Sequence, residues 1–119
     1  MATRDEIREA LADYRVSCNS NERLRRMQRD WSKVIHLDAL DVDAKFTMHV
    51  VRGEITSIDD GLSGPCDVLV RARSEDFADM FWGDLNPVQK YLQGEIKVQG
   101  SQEDVMRLDA ISAIIWPEV

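Results

Sequence analysis

The residues that could carry acid–base or metal chemistry are two histidines and the acids between them. His36 and His49 fall on neighbouring predicted strands, and Asp38, Asp41 and Asp43 lie between them in the chain. A zinc site needs three or four ligands at fixed spacing, and no third ligand has helical or strand spacing to this pair. Because His49 also falls on the polar side of its strand, the pattern favours ordinary surface histidines over a metal or catalytic centre.

Nucleophilic and phosphate chemistry have no better candidates. Cys66 lies at the start of a predicted strand with no base beside it, which favours an inert, packed thiol. Cys18 and Cys66 fit no metal spacing and no dense disulfide framework, so we expect a reducing cytoplasm. The sequence has no Gly-rich phosphate loop, no Ser elbow and no paired Cys motif. We therefore predict a protein that is not an enzyme and needs no cofactor or metal.

Length and charge narrow the class of molecule further. A chain of 119 residues, 44% of them hydrophobic, suits one domain over residues 1–119. The chain has no apolar run of about 18 residues, so no membrane span is predicted. The charged N-terminal stretch does not resemble a secretory signal. Residues 1–30 carry seven Arg against six acids, while residues 31–119 carry eight Lys or Arg against sixteen acids. This acidic body predicts repulsion of nucleic acids and anionic membranes.

The spacing of apolar residues predicts an N-terminal helical region, residues 1–30, followed by strands and then helices. A period near 3.6 indicates a helix, and a period of two indicates a strand. The first helix is predicted to end near Val16, and the second to run from Asn21 to Gln28. The remaining predicted strands are 34–37, 46–50, 55–58, 66–72 and 96–98. The remaining predicted helices are 74–83, with Ser74 as its N-cap, 86–94 and 101–116. This order predicts an α+β fold, a five-stranded and mostly antiparallel sheet with helices over one face.

The stretch from Gly83 to Gly100 carries the most specific signal in the chain. Asn86 and Pro87 are suited to begin a short helix, Gly94 to end it, and the residues after Gly94 alternate as in a strand. Its pattern is Gly-x-Leu-Asn-Pro-x-Gln, four residues, then Gly-x-Ile-Lys-Val-x-Gly. This pattern resembles the signature of the sterol carrier protein type 2 family of small lipid-binding domains, and element order extends the resemblance over residues 31–116.

The resemblance implies an apolar tunnel between the sheet and the helices. In that family the tunnel holds fatty acids, fatty acyl groups or sterols, and its lining does no covalent chemistry. Carried over by position, the lipid-binding residues of the sheet would be Phe46, Met48, Val68 and Val70. Those of the helices would be Phe77, Phe81, Trp82, Leu92, Met106, Ile111 and Ile115. The residue pattern alone leaves open whether these side chains line a tunnel or fill a core.

Other features bear on partners. The alternative function is a protein-interaction module, either a homodimer or an accessory to a lipid-metabolising enzyme. Asp84 stands where family members often have a lysine, which argues against docking of a coenzyme A phosphate. The C-terminal residues 116–119 do not form a peroxisomal tripeptide, so a bacterial cytoplasmic protein is expected. An arginine cluster on the second helix would be a head-group or partner site, or a solvated helix face: Arg23, Arg25, Arg26 and Arg29.

Overall fold

Ten helices and strands make up the part of the chain that the structure describes, residues 1–116 of a computed structural model. Residues 117–119, on which the expectation about a C-terminal tripeptide depends, lie outside this range. The strands are β1 (Lys33–Ala39), β2 (Lys45–Val51), β3 (Glu54–Asp60), β4 (Val68–Ala72) and β5 (Lys97–Gln99). The helices are α1 (Arg4–Ser20), α2 (Glu22–Met27), α3 (Ser74–Trp82), α4 (Pro87–Leu92) and α5 (Gln102–Ile115).

The five strands form one sheet in the order β3-β2-β1-β4-β5. Strand β1 runs parallel to β4, whereas β1–β2, β2–β3 and β4–β5 are antiparallel pairs. Leu37 lies opposite both Phe46 and Val70, so apolar side chains from neighbouring strands share one face, the inner face. The predicted α+β fold with a five-stranded, mostly antiparallel sheet is thereby confirmed.

The hairpin between β2 and β3 depends on two residues with positive φ. Arg52 has φ of 53° and Gly53 has φ of 79°, as the primed turns of two-residue hairpins require. A Cβ atom at Gly53 would lie 2.7 Å from the backbone oxygen of Gln28. The close approach of the segment after α2 therefore excludes any larger residue at this position.

Helices α1 and α3 cover the inner face and supply most of the helical residues of the packed core. Helix α1 packs against α3 and β3. Ile7 and Leu11 of α1 are fully buried, as are Phe77 of α3 and Phe46 and Val68 of the sheet. Buried residues repeat at three and four positions along α1 and at two along β2, as a single core between two layers requires: Ile7, Ala10, Leu11 and Tyr14, and Phe46, Met48 and Val50.

The outer face of the sheet is less open to water than the alternation of residues predicts. The loop after β3 folds across its centre: the Thr47 hydroxyl donates to the Gly61 carbonyl at 2.7 Å and accepts from the Ser63 amide at 3.1 Å. His36 Nε2 lies 3.3 Å from the Ser63 carbonyl oxygen. His36 is consequently buried, and the prediction of two surface histidines is wrong for this residue.

Three local predictions about helix and strand ends are wrong. Helix α1 does not end near Val16: it continues to Ser20, because Cys18 is buried and adds another turn to the apolar face. Strand β4 begins at Val68, which leaves Cys66 exposed in the preceding loop, so its thiol is not packed. Ser74 is not the N-cap of α3, since Arg73 occupies that position without a side-chain hydrogen bond.

The cap of α3 comes instead from a distant loop. Asp41, between β1 and β2, accepts from the Ser74 amide at 2.7 Å and from the Ser74 hydroxyl at 2.9 Å. The Ser74 hydroxyl also accepts from the Ala2 amide at 3.0 Å. These hydrogen bonds join the start of α3 to two segments far away in sequence, and they satisfy the Ser74 amide, which has no partner within the helix.

Candidate functional site

An apolar cavity of about 210 Å³ lies between the inner face of the sheet and the helices. Five residues of the strands line it from one side: Ile35, Leu37, Met48, Val70 and Val98. Residues of α1, α3, α4, α5 and the neighbouring loops line the rest: Tyr14, Met80, Phe81, Pro87, Val88, Tyr91, Leu92, Ile96, Val105, Leu108, Asp109, Ile111, Ser112 and Trp116. Nearly all of these side chains are hydrocarbon, aromatic or thioether groups, so the cavity suits an apolar guest.

One end of the cavity is an aromatic wall. The Tyr14 ring lies 4.9 Å from the Phe81 ring and 5.6 Å from the Trp116 ring, centroid to centroid. Trp116 Nε1 donates to the Met80 carbonyl at 2.8 Å. Burial raises the pKa of the Tyr14 hydroxyl well above its ordinary value, and that hydroxyl hydrogen-bonds with Cys18. The polar atoms of this wall thus bind protein partners, and its rings present apolar surface.

Cys18 lies behind this wall as a neutral thiol. Its side chain is buried, and burial raises the pKa of the thiol to about 11. Because the thiolate is the reactive form of cysteine, the Cys18 side chain is inert near neutral pH.

Helix α5 is fastened at its N-terminal end by a buried polar cluster. Asp104 is only 3% exposed and accepts from Trp31 Nε1 at 2.9 Å. Lys33 Nζ lies 3.6 Å from the same carboxylate. Arg107, one turn further, donates to both carboxylate oxygens of Asp30 at 2.9 and 3.0 Å, and these hydrogen bonds hold the pKa of Asp30 below its ordinary value.

Helix α4 forms the lightest part of the cavity cover. Pro87 is its buried residue, whereas Leu92, which lines the cavity, is 72% exposed. Asn86 accepts from the Val88 amide at 3.0 Å and donates to the Trp116 carbonyl at 2.6 Å, so the start of α4 is joined to the end of α5. The helix ends before Gly94, whose φ of 79° follows the sequence prediction of a glycine stop.

The predicted lipid-binding residues fall into three groups in the structure. Five of the eleven line the cavity: Met48, Val70, Phe81, Leu92 and Ile111. Phe46, Val68 and Phe77 are buried in the core beside it. Trp82 and Met106 are exposed, and Ile115 is partly buried beside a surface hollow that Trp82 also lines.

Geometry explains why Trp82 and Met106 do not line the cavity. Trp82 and Met106 each follow a lining residue, Phe81 and Val105, and one step along a helix rotates a side chain by about 100°. On α5 the lining positions Val105, Leu108, Ile111 and Ser112 keep the three- and four-residue spacing of one face. Val105, Leu108 and Tyr14 line the cavity but were not predicted to do so. The helical spacing could have identified Val105 and Leu108, whereas the position of Tyr14 depends on how α1 packs against α3.

The other candidates lie away from the cavity. His49 Nε2 is 3.4 Å from Asp59 Oδ2 on the outer sheet face, opposite the cavity. Within residues 1–116, no three His, Cys, Asp or Glu side chains are grouped so that they could hold a metal ion. The arginine cluster of α2 is exposed, with Arg25 paired to Glu54, and none of its four members lines the cavity.

The fold and the cavity define a small α+β domain with an apolar cavity between its sheet and its helices. The SCP-2 sterol transfer family model matches residues 11–112, and the chain belongs to this family. The match carries with it the general property of lipid binding or transfer. A comparison with curated proteins gives no significant match. Along the described residues, no helix is long and apolar enough to cross a membrane.

Solved structures of the same fold agree with this assignment. A crystal structure of sterol carrier protein 2 has a TM-score of 0.66 at 12% identity and covers 93% of this chain and 95% of its own. Palmitated SCP2L2 from Aedes aegypti gives 0.64 at 17% identity, with coverage of 97% and 95%. The ubiquinone synthesis protein UbiJ-SCP2 gives 0.66 at 13% identity, with coverage of 91% and 88%. At these identities the likeness establishes the fold.

Proposed function

We propose that this chain binds one hydrophobic ligand, a fatty acid, a fatty acyl group or a sterol-like lipid, and carries it without transforming it. The observation that supports this proposal is the apolar cavity of about 210 Å³ beneath α4 and α5. The similar Aedes aegypti protein was solved in a palmitated form, which supports an acyl chain as one candidate ligand.

The size of the cavity indicates how a ligand would fit. Sites for small organic ligands usually measure about 300 to 1,000 Å³, so a full lipid chain needs more room than the 210 Å³ present. Helix α4 is the element best able to provide it, because a single one of its residues, Pro87, is buried. We therefore expect α4 to move outward when the ligand enters. Its lining residues Val88, Tyr91 and Leu92 would then stay in contact with the ligand as the cavity enlarges.

Apolar area would supply the affinity. Each buried methylene contributes about 0.8 kcal/mol, so about ten of them match the roughly 8 kcal/mol of a micromolar complex before ordering costs are subtracted. The polar atoms of the aromatic wall already have protein partners, and His36 and His49 lie on the opposite sheet face. Binding by burial, with no chemical step, is the function this arrangement favours.

The test is a titration of delipidated protein with the fluorescent fatty acid cis-parinaric acid, and in parallel with the fluorescent sterol dehydroergosterol. Leu92→Asp places a charge on a lining residue that is already 72% exposed, so the fold should tolerate it while affinity falls at least tenfold. Met106→Asp is the matched control, because Met106 is 64% exposed but does not line the cavity. Phe81→Asp, at a buried lining position, should abolish binding.

Two results would contradict the proposal. One is the absence of saturable binding of either probe, and the other is an equal effect of the Leu92 and Met106 variants. Far-UV circular dichroism of each variant separates lost binding from lost folding.

A second candidate function is a dimerisation or protein-interaction module. The exposed apolar side chains of α4, namely Val88, Tyr91 and Leu92, favour it, because a partner would remove them from water. Sedimentation of the same delipidated samples distinguishes the two functions. A tight dimer that binds no probe supports the interaction module, whereas a monomer with saturable binding supports the lipid carrier.

A further inference from the structure

The polar part of the cavity wall lies on α5 and is acidic. Asp109 and Ser112 are the polar residues that α5 contributes to the lining. The Ser112 hydroxyl donates to the Leu108 carbonyl at 3.1 Å, so its hydrogen is already used. Asp109 is exposed and has no cation among the lining residues, since these include no Lys, Arg or His. The head-group of a lipid that reaches the α5 side of the cavity therefore meets the Asp109 carboxylate.

The cations on neighbouring elements are engaged elsewhere. Lys90 of α4 pairs with Asp76 at 3.6 Å and with Glu95 at 2.9 Å. Arg107 of α5 is held by Asp30. Lys97 of β5 alternates with Val98, which lines the cavity, so Lys97 lies on the outer face of the sheet. An anionic head-group beside Asp109 would thus meet a negative charge. Lys90 and Arg107 are paired with acids and Lys97 is on the other face of the sheet, so none of these three would offset that charge.

From this wall we propose that the site selects lipids with a neutral, hydroxyl-bearing head over lipids with a carboxylate or phosphate head, and that Asp109 determines the selection. A hydroxyl would donate a charge-assisted hydrogen bond to the Asp109 carboxylate. A carboxylate or phosphate at the same place would be repelled by it. This inference rests on the proposed function, because it names the ligand class of the same cavity.

Binding of two chain-matched lipids tests the selection. Isothermal calorimetry of delipidated protein at neutral pH, below the micelle concentration, compares 1-dodecanol with laurate. We expect dodecanol to bind about tenfold more tightly, which corresponds to about 1.4 kcal/mol. In Asp109→Asn the ratio should fall towards one, chiefly because laurate binds more tightly. Added salt should strengthen laurate binding to the wild type by screening, with little effect on the variant.

A charge-matched control separates a local effect from one of net charge. Glu103→Gln removes one negative charge from the same helix at an exposed residue that does not line the cavity. The wild-type ratio should persist in this variant. Equal or tighter binding of laurate by the wild type, or an unchanged ratio in Asp109→Asn, would overturn the selectivity and leave the lipid-carrier proposal standing. Failure of both lipids to bind, together with failure of both fluorescent probes, would overturn the two proposals together.

Discussion

Two coverings of the same sheet face differ in how completely they are packed. Over one part, α1 and α3 bury Ile7, Leu11 and Phe77 to within 1% of full burial. Over the other part, α4 buries Pro87 and α5 buries Asp104 and Ile111, and the cavity lies beneath them. The packed covering, α1 and α3, supplies apolar burial for stability. The cavity covering, α4 and α5, leaves space that a ligand can fill.

Within the cavity covering, α5 is hydrogen-bonded to the rest of the protein at its two ends, and its middle lies over the cavity. Asp104 fastens the start of α5 to Trp31, and Trp116 fastens its end to the Met80 carbonyl. Between these two points, Val105, Leu108 and Ile111 of α5 face the cavity. Hydrogen bonds are directional and local, so they can fix the position of a helix without filling the volume beneath it. This difference makes unequal effects of mutations in the two coverings a direct test.

The largest expected effect is on the packed covering. Phe77 is 1% exposed, its ring lies 5.7 Å from that of Phe81, and it does not line the cavity. Phe77→Ala should lower the free energy of unfolding by about 3 to 5 kcal/mol, because it leaves a void in a close-packed region. Urea denaturation gives the value.

The matched change on the cavity covering is Leu92→Ala. Leu92 is largely exposed, so its loss should change the free energy of unfolding by about 0.5 kcal/mol or less. Similar losses in the two variants would show that the two coverings contribute alike to stability, contrary to the comparison drawn above.

An effect smaller than that of Phe77→Ala is expected at the fastening of α5. Asp104→Ala removes the acceptor of the buried Trp31 indole N–H and the partner of Lys33, so it should cost about 2 to 3 kcal/mol of unfolding free energy. A double-mutant cycle with Trp31→Phe measures the coupling. The two changes should not be additive, because each removes the same hydrogen bond. Full additivity would mean that this hydrogen bond does not hold α5.

How much of this could be predicted from sequence differs between the two coverings. Alternation along the strands and the capped, glycine-stopped pattern from Gly83 to Gly100 were sufficient for the five strands and for α4, because these signals are local. The parallel pairing of β1 with β4 was not predicted in detail. That pairing depends on which strand edges remain free once the hairpins have formed, and local spacing does not encode it.

The candidate site was predictable only to the level of its elements. Four helical residues were carried over by position from the family resemblance. Ile111 and Leu92 line the cavity, whereas the equally hydrophobic Trp82 and Met106 are exposed. Hydrophobicity identifies apolar residues but not the face on which each one lies. Tyr14 was missed as a lining residue because its place at the aromatic wall depends on contacts with Phe81 and Trp116, both distant in sequence.

A loss of stability smaller than that at the fastening of α5 is expected at the cap of α3, which belongs to the packed covering but depends on a loop residue. Asp41→Ala should cost about 1 kcal/mol, as for other lost helix caps, whereas Asp43→Ala in the same loop should change stability little, since the Asp43 side chain is 91% exposed.

The contribution of Asp41 should also depend on pH. The Ser74 amide that donates to Asp41 holds the pKa of this carboxyl below its ordinary value. A lowered pKa in the folded state means that the stabilising contribution is complete above the unfolded pKa of about 3.9 and is lost as pH falls through the folded pKa. The difference in stability between wild type and Asp41→Ala should therefore narrow on acidification below about pH 4. Urea denaturation across that range measures it, and a difference that stays constant would mean that the charge of Asp41 plays no part in capping α3.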